Sequence, residues 1–338
     1  MPEAPALPPE AVLMQIISGK WASMAVSVAA KLRIADHLAA GPKTVDALAA
    51  ETGTHAPSLY RVLRALAGLG VFAETDRTFA LTPMAELLRT GVPKSMRGIA
   101  DYCGSDWSWR PWGDLLGTVR TGETAFDRVF GEQCFDYLAK HPDESAVFNE
   151  GMTGFSTQTA GAVAEAYPFG DFRSVVDVGG GHGAMLLTIL RHHPGVSGVV
   201  FDSPHVAAGA TPAIRAAGLE SRCRAEGGDF FRAVPAGADV YLMRHIIHDW
   251  PDDKATTILR NCRTAVKPGG KVLLVELVIP PGNEPSLGKL LDLEMLVVAS
   301  GKERTEAEYA ALFAGAGWKL TRVVPTKSPA SIIEGEPA

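Results

Sequence analysis

The sequence predicts an α/β fold, a doubly wound, mostly parallel sheet of seven strands preceded by a helical, winged-helix-like domain. Five apolar strand candidates alternate with helical patterns in the second half of the chain, at residues 174–178, 198–202, 222–226, 239–243 and 271–276. This alternation is typical of parallel strands joined by crossover helices. Two more strand candidates, at residues 319–324 and 331–334, form an expected closing hairpin. Helical periodicity dominates the first half.

The length of the chain sets the number of domains. It has 338 residues and is 46% hydrophobic, which is enough for two cores, so we expect two domains. Residues 1–10 contain four prolines and are expected to form a flexible tail. We place the winged-helix-like domain at 11–95, a helical connector at 96–165 and the sheet domain at 166–338.

Charge and cysteine content limit the function classes. A net charge of −6 and a pI near 5.9 argue against a nucleic-acid partner. The four cysteines contain no Cys-x-x-Cys pair, so neither a metal site nor a disulfide framework is indicated. The N-terminus lacks the features of a signal peptide, and no apolar run approaches the ~20 residues that span a bilayer. We therefore expect a reduced, soluble, cytoplasmic protein with no membrane partner.

The first domain is predicted from helical spacing and one hairpin. Apolar residues recur at helical spacing over residues 11–38, with a break at Gly19, and two short helices follow at 44–51 and 57–68. Strand candidates flank a polar turn at residues 76–77. DNA-binding regulators share such an arrangement, but here the arginines are outnumbered by carboxylates: Arg61, Arg64 and Arg77 against Asp46, Glu51, Glu74 and Asp76. The leucine-rich second helix is expected to pack against protein.

The second domain is organised around residues 175–183, Val-Val-Asp-Val-Gly-Gly-Gly-His-Gly. β-favouring residues run into a glycine cluster, and an apolar helical pattern follows, so we expect a buried strand, a tight turn and a helix start. Gly179 and Gly181 allow backbone N–H groups to approach a ligand at the positive end of the helix. A nucleotide-like ligand fits such a turn.

Three acids help to identify the nucleotide. The glycine spacing alone also satisfies the fingerprint of NAD-binding folds. Asp177 before the turn suits a ligand with ammonium and sulfonium groups better than an anionic pyrophosphate. Asp202 ends the next strand, where a carboxylate can accept both ribose hydroxyls, and Asp229 could contact the adenine end. Asp177 and Asp229 could instead close turns, but the ordered set of three favours a nucleoside site.

Five motifs in order resemble those of the S-adenosylmethionine-dependent small-molecule O-methyltransferases, typified by plant caffeate and bacterial polyketide enzymes. They are the glycine turn, Gly228-Asp-Phe-Phe, Leu242-Met-Arg-His-Ile-Ile-His-Asp-Trp, Lys267-Pro-Gly-Gly-Lys-Val-Leu-Leu-Val-Glu and Gly301-Lys-Glu-Arg-Thr. The resemblance covers nearly the whole chain. It implies a class I methyltransferase with a Rossmann-like sheet, S-adenosylmethionine as the methyl donor, S-adenosylhomocysteine as the product, no metal, and a homodimer formed through the N-terminal domain.

The resemblance also implies roles for single residues. His248 matches the family's general base, and Glu276 and Glu303 match the two carboxylates that orient its ring. Without the resemblance, His248 is a structural histidine beside a helix start, with Asp249 as the helix cap. His245 matches no catalytic position and is interpreted as structural. The expected cofactor-binding residues lie at strand ends: Asp177, Gly179, Gly181, Asp202, Gly228, Asp229, Phe230, Phe231 and Arg244.

The acceptor pocket is expected in the aromatic-rich region 95–160, because concave apolar pockets commonly form between domains. Phe148-Asn-Glu-Gly-Met152 resembles the family segment whose Phe and Met clamp a flat aromatic acceptor. We therefore expect Phe148 and Met152 to wall the pocket, with Tyr102 and Trp107 behind them and Asp249 contacting the acceptor.

Two departures from the plant pattern bear on the acceptor. Arg244 stands where plant enzymes carry a lysine, and Val298-Ala-Ser stands where they often supply an asparagine to the acceptor. The expected acceptor, by analogy with bacterial relatives, is therefore an aromatic or quinonoid hydroxyl of secondary metabolism, and a heteroaromatic or amine nitrogen is the alternative. An NAD-dependent oxidoreductase and a winged-helix regulator are disfavoured by the three acids and by the acidic N-terminal domain.

Overall fold

The computed structural model describes residues 7–92 and 94–338, and of residues 153–158 it describes the backbone only. The chain divides into two compact units. The first runs to Trp109 and includes Asp143–Gly154, and the second consists of Arg110–Pro142 and Phe155–Ala338. Residues 1–6 of the expected tail lie outside the described residues, whereas Pro9 and Glu10 form the first turn of a helix.

The first unit is mainly helical. Its elements are α1 (Pro9–Lys31), α2 (Ile34–His37), β1 (Lys43–Thr44), α3 (Val45–Thr52), α4 (Ala56–Gly68), β2 (Phe72–Thr75), β3 (Thr78–Leu81), α5 (Pro83–Glu86), α6 (Arg97–Cys103) and the start of α7 (Asp106–Trp112). The expected break at Gly19 is wrong, because α1 is one continuous helix of 23 residues. A single interior glycine costs only ~1 kcal/mol relative to alanine, and a helix of this length tolerates that cost.

The hairpin and the leucine-rich helix of this unit are as expected. Strands β2 and β3 pair antiparallel, and the turn residues Asp76 and Arg77 have φ of 48° and 61°, the left-handed conformation of a two-residue hairpin turn. The apolar face of α4 is buried in the unit's core, through Leu59, Leu63 and Leu66. The helix that would lie in a DNA groove therefore packs against protein.

The first half of α1 carries a row of exposed apolar side chains, Val12, Leu13, Met14, Ile16, Ile17 and Trp21. By length and mean hydropathy α1 is long and apolar enough to cross a membrane, although no uninterrupted apolar run in it approaches ~20 residues, as expected. The helix is apolar on average despite the polar residues Gln15, Ser18 and Lys20 that interrupt its apolar runs. Exposed apolar side chains grouped in this way are typical of an interaction surface.

The second unit contains the sheet. Its helices are α8 (Leu115–Thr121), α9 (Ala125–Phe130), α10 (Cys134–Lys140), the second part of α11 (Pro142–Ala166), α12 (Ala184–His192), α13 (Pro204–Ala216), α14 (Asp252–Ala265), α15 (Leu287–Glu294) and α16 (Glu306–Gly315). Its strands are β4 (Ser174–Val178), β5 (Ser197–Asp202), β6 (Cys223–Gly227), β7 (Val240–Arg244), β8 (Lys271–Glu276), β9 (Trp318–Pro325) and β10 (Ser331–Pro337). A π-helix, Met295–Ala299, continues α15.

The seven strands lie in the order β6-β5-β4-β7-β8-β10-β9. The first five are parallel, and β10 is antiparallel to both β8 and β9. Apolar side chains from both faces of the sheet, such as Val175 and Val176, enter two separate cores. The expected fold is confirmed. Because the parallel strands end at one edge, that edge is where such sheets bind ligands.

The antiparallel part of the sheet holds a buried polar cluster around Glu334. Its carboxylate accepts hydrogen bonds from Thr321 Oγ1 (2.6 Å), Tyr167 Oη (2.6 Å), Lys271 Nζ (2.9 Å) and an Arg322 nitrogen (2.9 Å). Burial opposes the charge on Glu334, but these partners outweigh it and lower the pKa to about 2. The cluster ties β8, β9 and β10 together.

Candidate active site

The turn between β4 and α12 has the backbone that its glycines predict. Gly179 and Gly181 have φ of 69° and 56°, in the left-handed region that favours glycine. A Cβ added to Gly181 would meet no atom within 4 Å. The turn therefore presents its backbone to open space at the N-terminus of α12, where an anionic or polar ligand group is favoured.

Asp177 is buried beside this turn, with 1% of its surface exposed. Its Oδ2 atom is buried and has no hydrogen-bond partner among the described residues. Burial raises the pKa of Asp177 to about 7, against the charge of Arg244, which lowers it. A buried carboxylate oxygen without a partner is costly, so the site fits a ligand that supplies a cationic N–H group.

Asp202, the last residue of β5, reaches the same turn. Its Oδ2 accepts a hydrogen bond from the Gly181 N–H (2.9 Å) and its Oδ1 accepts one from the Ser203 N–H (2.7 Å). A carboxylate oxygen has two lone pairs, so Oδ2 can also accept a hydroxyl donor, and Oδ1 can do so where that donor replaces the 3.3 Å hydrogen bond from the Ser203 hydroxyl. The structure thus brings together the glycine turn, Asp177 and Asp202.

A cavity of about 650 Å³ lies beyond the carboxyl ends of β5 and β6, and its lining includes Phe201, Gly228 and Asp229. A Cβ added to Gly228 would lie 2.5 Å from the Phe201 ring, so glycine is required there. Asp229 Oδ1 accepts the Phe231 N–H at 2.9 Å, which shows that Asp229 closes a turn as well as lining the cavity. The volume is typical of small-molecule sites.

The remaining predicted cofactor residues lie nearby. The rings of Phe230 and Phe231 pack on Trp250, with centroid distances of 6.1 and 4.8 Å. Arg244 is the last residue of β7, and burial lowers its pKa to about 10. The guanidinium is therefore still charged at neutral pH.

His248 lies in the 3₁₀ turn Ile247–Asp249, called here the base turn, which follows β7. The residue is 6% exposed, and its Nδ1 lies 2.5 Å from Glu303 Oε1 and 3.8 Å from Glu276 Oε2. Glu276, at the end of β8, also accepts the N–H groups of Ile246 and Ile247 through Oε1, both at 3.2 Å. The two predicted carboxylates therefore approach the same ring nitrogen.

This cluster concentrates negative charge on one imidazole. Burial disfavours the imidazolium, but Glu276, Asp249 and Glu303 outweigh it and raise the pKa of His248 to about 10. Burial raises the pKa of Asp249 to about 7 and also raises that of Glu303. Burial opposes the charge of Glu276, but His248, His245 and Arg304 together outweigh it and lower that pKa. At neutral pH the cluster contains an imidazolium beside an ionised Glu276.

Asp249 contacts the other side of the ring. Its Oδ1 lies 3.3 Å from His248 Nε2. The alternative of a helix cap is wrong, because α14 begins at Asp252 with Pro251 as its N-cap residue and no side-chain cap. The base turn directs the Asp249 side chain to the imidazole instead.

His245, interpreted from the sequence as structural, is part of the cluster. Its Nδ1 lies 3.3 Å from Glu276 Oε2, and its ring centroid lies 4.8 Å from that of His248. Its backbone has φ of 49°, an uncommon conformation for a residue other than glycine. Burial lowers the pKa of His245 to about 4, so its ring is neutral when that of His248 is charged.

A metal is a poor match for this cluster. His245, His248 and Glu303 have ligand atoms within 4.8 Å of one another, whereas neighbouring ligands of a tetrahedral zinc ion, bound at about 2.1 Å, lie about 3.4 Å apart. A hydrogen bond already joins His248 Nδ1 to Glu303 Oε1. The arrangement therefore suits proton transfer better than metal binding.

Four of the five predicted acceptor residues lie in the first unit, whereas Asp249 lies in the second. Tyr102, Trp107 and Phe148 form an aromatic cluster with centroid distances of 5.1, 5.9 and 6.0 Å. Met152 lies one turn after Phe148 on α11. Trp107 is fully buried, which fits a residue behind a pocket wall.

Sequence reasoning missed the contacts of His245 and Arg304. A positive φ leaves no trace in a hydrophobic pattern, so nothing marked His245 apart from its nearness to His248. Arg304 directly follows Glu303 in the motif Gly301-Lys-Glu-Arg-Thr. This neighbourhood was the one sequence feature that could have pointed to a role near His248.

Two family descriptions match the chain. Residues 112–319 match the O-methyltransferase domain, and residues 14–91 match the O-methyltransferase dimerisation domain. Phenazine O-methyltransferase PhzM of Lysobacter antibioticus is 49% identical over 99% of this chain and 98% of its own length. An 8-amino-8-demethylriboflavin N,N-dimethyltransferase of Streptomyces davaonensis is 37% identical over 90% of this chain and 89% of its own length.

Solved structures show the same similarity. The crystal structure of LaPhzM has a TM-score of 0.95 and 49% identity, and covers 98% of this chain and 100% of its own. The neocarzinostatin biosynthesis O-methyltransferase NcsB1, solved with S-adenosylmethionine and 2-hydroxy-5-methyl naphthoic acid, has a TM-score of 0.81 and 35% identity, and covers 94% of this chain and 96% of its own.

Proposed function

The chain belongs to the O-methyltransferase family, and we propose that it methylates a hydroxyl group of an aromatic or quinonoid small molecule with His248 as the general base. S-adenosylmethionine is the methyl donor of these enzymes, and its sulfonium supplies an already activated methyl group. The observation that carries the proposal is the buried His248 imidazole, which lies between the carboxylates of Asp249, Glu276 and Glu303. It lies at the same edge of the sheet as the glycine turn.

The second unit contains candidate partners for the ammonium group, the ribose and the adenine of the cofactor. Asp177, with its unpartnered buried oxygen, would bind the ammonium group. Asp202 would accept the ribose hydroxyls, and the cavity lined by Phe201 and Asp229 would hold the adenine. The other residues around the bound cofactor would be Arg244, Phe230 and Phe231.

The chain's main contribution to the rate is alignment. Holding an acceptor oxygen in line with a transferable methyl group can remove ~7–11 kcal/mol of barrier. A phenol with a pKa near ~10 is a weak nucleophile at neutral pH, so the proton must leave as the bond forms. His248 Nε2 is the ring nitrogen that would take this proton, because Nδ1 is engaged by Glu303. Asp249, beside Nε2, would help to hold the acceptor hydroxyl.

The pKa of His248 predicts how the rate depends on pH. The imidazole must be neutral to accept a proton, and its pKa is raised to about 10. The kcat/KM profile is therefore expected to rise from neutral pH into the alkaline range.

Replacing Glu303 with glutamine is expected to move that rising limb to lower pH. Glutamine can still accept the Nδ1–H hydrogen bond, but the loss of one negative charge lowers the pKa of His248. A pH profile of kcat/KM for the Glu303→Gln variant measures the shift. Asp253→Asn removes an exposed carboxylate on α14 and is the control that should leave the limb in place. If the rising limb of the kcat/KM profile stayed in place in Glu303→Gln, the pH dependence would not come from the titration of His248.

S-adenosylmethionine is expected to bind more weakly as the pH falls below about 7, the pKa to which burial raises Asp177. The carboxylate must be ionised to pair with the ammonium group, so the Kd should rise up to ~10-fold per pH unit. Asp177→Asn should weaken binding ~10–100-fold, as the loss of a hydrogen bond between charged groups does, and should abolish the pH dependence. Calorimetry on both sides of neutral pH checks this, with Asp171→Asn as the exposed control. Equal affinities at both pH values would contradict the role of Asp177.

The experiment that tests the acceptor is a methyl-transfer screen over phenolic and quinone compounds. Met152→Ala is expected to raise the KM for a flat aromatic acceptor by about 10-fold, because removing a packed side chain costs ~1–3 kcal/mol of binding. Met84→Ala, which alters an exposed methionine of the same unit, is the control. An unchanged KM in Met152→Ala would remove that residue from the pocket, and no methyl transfer to any hydroxyl would overturn the proposal.

Methylation of nitrogen is the second candidate. The relative from Streptomyces davaonensis is named a dimethyltransferase of an amino group. An amine needs less help from a base than a phenol does, so the carboxylate cluster around His248 favours oxygen. Activity on amines that persists in His248→Gln would support nitrogen instead.

We also propose that the enzyme is a homodimer, in which the exposed apolar face of α1 is covered by the partner chain rather than by a membrane. The match of residues 14–91 to a dimerisation domain supports this. Sedimentation as a monomer at micromolar concentration would contradict it.

A further inference from the structure

Residues 301–304, called here the base strap, run alongside the base turn and contact it at several points. The strap carries Glu303, which binds the His248 ring. Its other residues bind the backbone of the base turn and of the residues just after it. The strap can therefore control both the ring and the backbone of the proposed base.

Arg304 makes most of the backbone contacts. It is fully buried, and each of its five N–H donors has an acceptor. Nη1 donates to the carbonyl oxygens of Ile247 (3.1 Å) and Lys302 (3.2 Å), and Nη2 donates to the carbonyl oxygen of Trp250 (3.0 Å). Nε and Nη2 both donate to Asp252 Oδ1, at 3.1 and 2.8 Å. The planar guanidinium thus binds residues on both sides of His248.

Gly301 and Lys302 hold the carbonyl group of His248 itself. The Lys302 N–H donates to the His248 oxygen at 2.9 Å (backbone to backbone). A Cβ added to Gly301 would lie 1.9 Å from that same oxygen and 2.5 Å from the Asp249 carbonyl carbon. The strap and the base turn are therefore in direct backbone contact, which leaves no room for a side chain.

The strap is itself anchored. The Glu303 N–H donates to Asp292 Oδ1 on α15 at 2.8 Å. The Arg304 carbonyl oxygen accepts the Ile279 N–H at 3.0 Å, just beyond the end of β8. Because the strap is fixed to both α15 and the sheet, it forms a rigid support for the base turn.

We propose that Arg304 is a positioning residue for the methyl transfer, which fixes Nε2 of His248 toward the acceptor by holding the base turn through its backbone oxygens. This inference rests on the proposed role of His248 as the base. A misplacement of about 1 Å at a reacting group can cost ~10²-fold in rate, so a residue that never touches the acceptor can still control turnover.

The test is the Arg304→Lys variant of the full chain. Lysine keeps the positive charge but cannot form the five-donor fork. We expect kcat to fall at least ~10-fold, the Kd for S-adenosylmethionine to stay within about 2-fold, and the rising limb of the pH profile to move to lower pH. The groups that face His248, namely Glu276, Glu303, Asp249 and His245, all remain, so a moved limb reports a changed position of the ring.

Arg322→Lys is the matched control. Arg322 binds the buried Glu334 in the antiparallel part of the sheet, so its replacement should lower the Tm without changing kcat or the pH profile. If Arg304→Lys does not fold, Asp252→Asn weakens the same fork from an exposed side chain and should shift kcat and the limb in the same direction by a smaller amount.

The outcomes separate the two claims. The role of Arg304 alone would be overturned if His248→Gln lost turnover while Arg304→Lys kept the wild-type kcat and pH profile. If Arg304→Lys does not fold, Asp252→Asn takes its place in this comparison. Near-normal turnover in His248→Gln would overturn the base itself, and this inference with it. Arg304 would be shown only to stabilise the fold by a different result. In it, kcat falls in Arg304→Lys, the rising limb of the pH profile stays in place, and Arg322→Lys shows the same fall in kcat at an equal loss of Tm.

Discussion

Replacing His248 with glutamine is expected to lower kcat by about 10²- to 10⁴-fold, the range contributed by a positioned general base. Glutamine has a similar reach but cannot take up a proton. The affinity for S-adenosylmethionine should change less than ~3-fold, because the proposed cofactor partners Asp177 and Asp202 lie at the ends of other strands. Steady-state kinetics together with calorimetry measure the two quantities separately.

The control for this variant is His192→Gln, which alters an exposed histidine at the end of α12. It should match the unmodified enzyme in kcat and in affinity. If His248→Gln turned over at close to the normal rate, alignment alone would account for catalysis, and the carboxylates around the ring would need another explanation.

Replacing Glu276 with alanine is expected to lower the free energy of unfolding by about 3–5 kcal/mol, as the loss of one member of a buried charged pair does. Glu276 is completely buried. Its removal leaves the N–H groups of Ile246 and Ile247 without their acceptor and leaves the charged His248 with one carboxylate fewer. Urea denaturation measures the loss, and kcat of the folded fraction should fall as well.

Glu334→Ala serves as the comparison, because it removes another buried carboxylate of the same sheet. It should also destabilise the protein, but it should leave the kcat of folded molecules unchanged. A Glu276→Ala variant within about 1 kcal/mol of the original stability would show that the base turn is held without this carboxylate.

The elements near the glycine turn could be predicted because their signals are local. Residues 175–183 combine a buried strand, φ-permissive glycines and a helix start within nine positions, and the structure has these elements at the expected places. The acids Asp177 and Asp202 were found because parallel strands place their carboxyl ends at one edge. Strand periodicity and connection rules were enough for this part.

The partners of His248 could be predicted only in part. The motif order pointed to His248, Glu276 and Glu303, but not to the way that Asp249 contacts Nε2 or that His245 shares Glu276. These contacts depend on a left-handed backbone at His245 and on a 3₁₀ turn. Neither conformation has a distinctive hydrophobic pattern.

The continuity of α1 was mispredicted for a related reason. Gly19 weakens a helix locally, but a long helix absorbs that loss. The exposure of the apolar face of α1 also could not be predicted from the helical spacing of its apolar residues. That spacing is the same whether the face packs against a core or against a second chain.

The sequence by itself determined the parallel sheet, the glycine turn, the acids at the strand ends and the family to which the chain belongs. Only the tertiary structure decided that Arg304 holds the backbone of the base turn, that Asp249 faces the imidazole and that apolar side chains in the first half of α1 lie outside the core of their own unit. The physical reason is that local patterns specify which residues form an element and which face is apolar. The contact between Arg304 and the Ile247 carbonyl oxygen instead joins residues 57 positions apart, and such contacts exist only once the elements have packed.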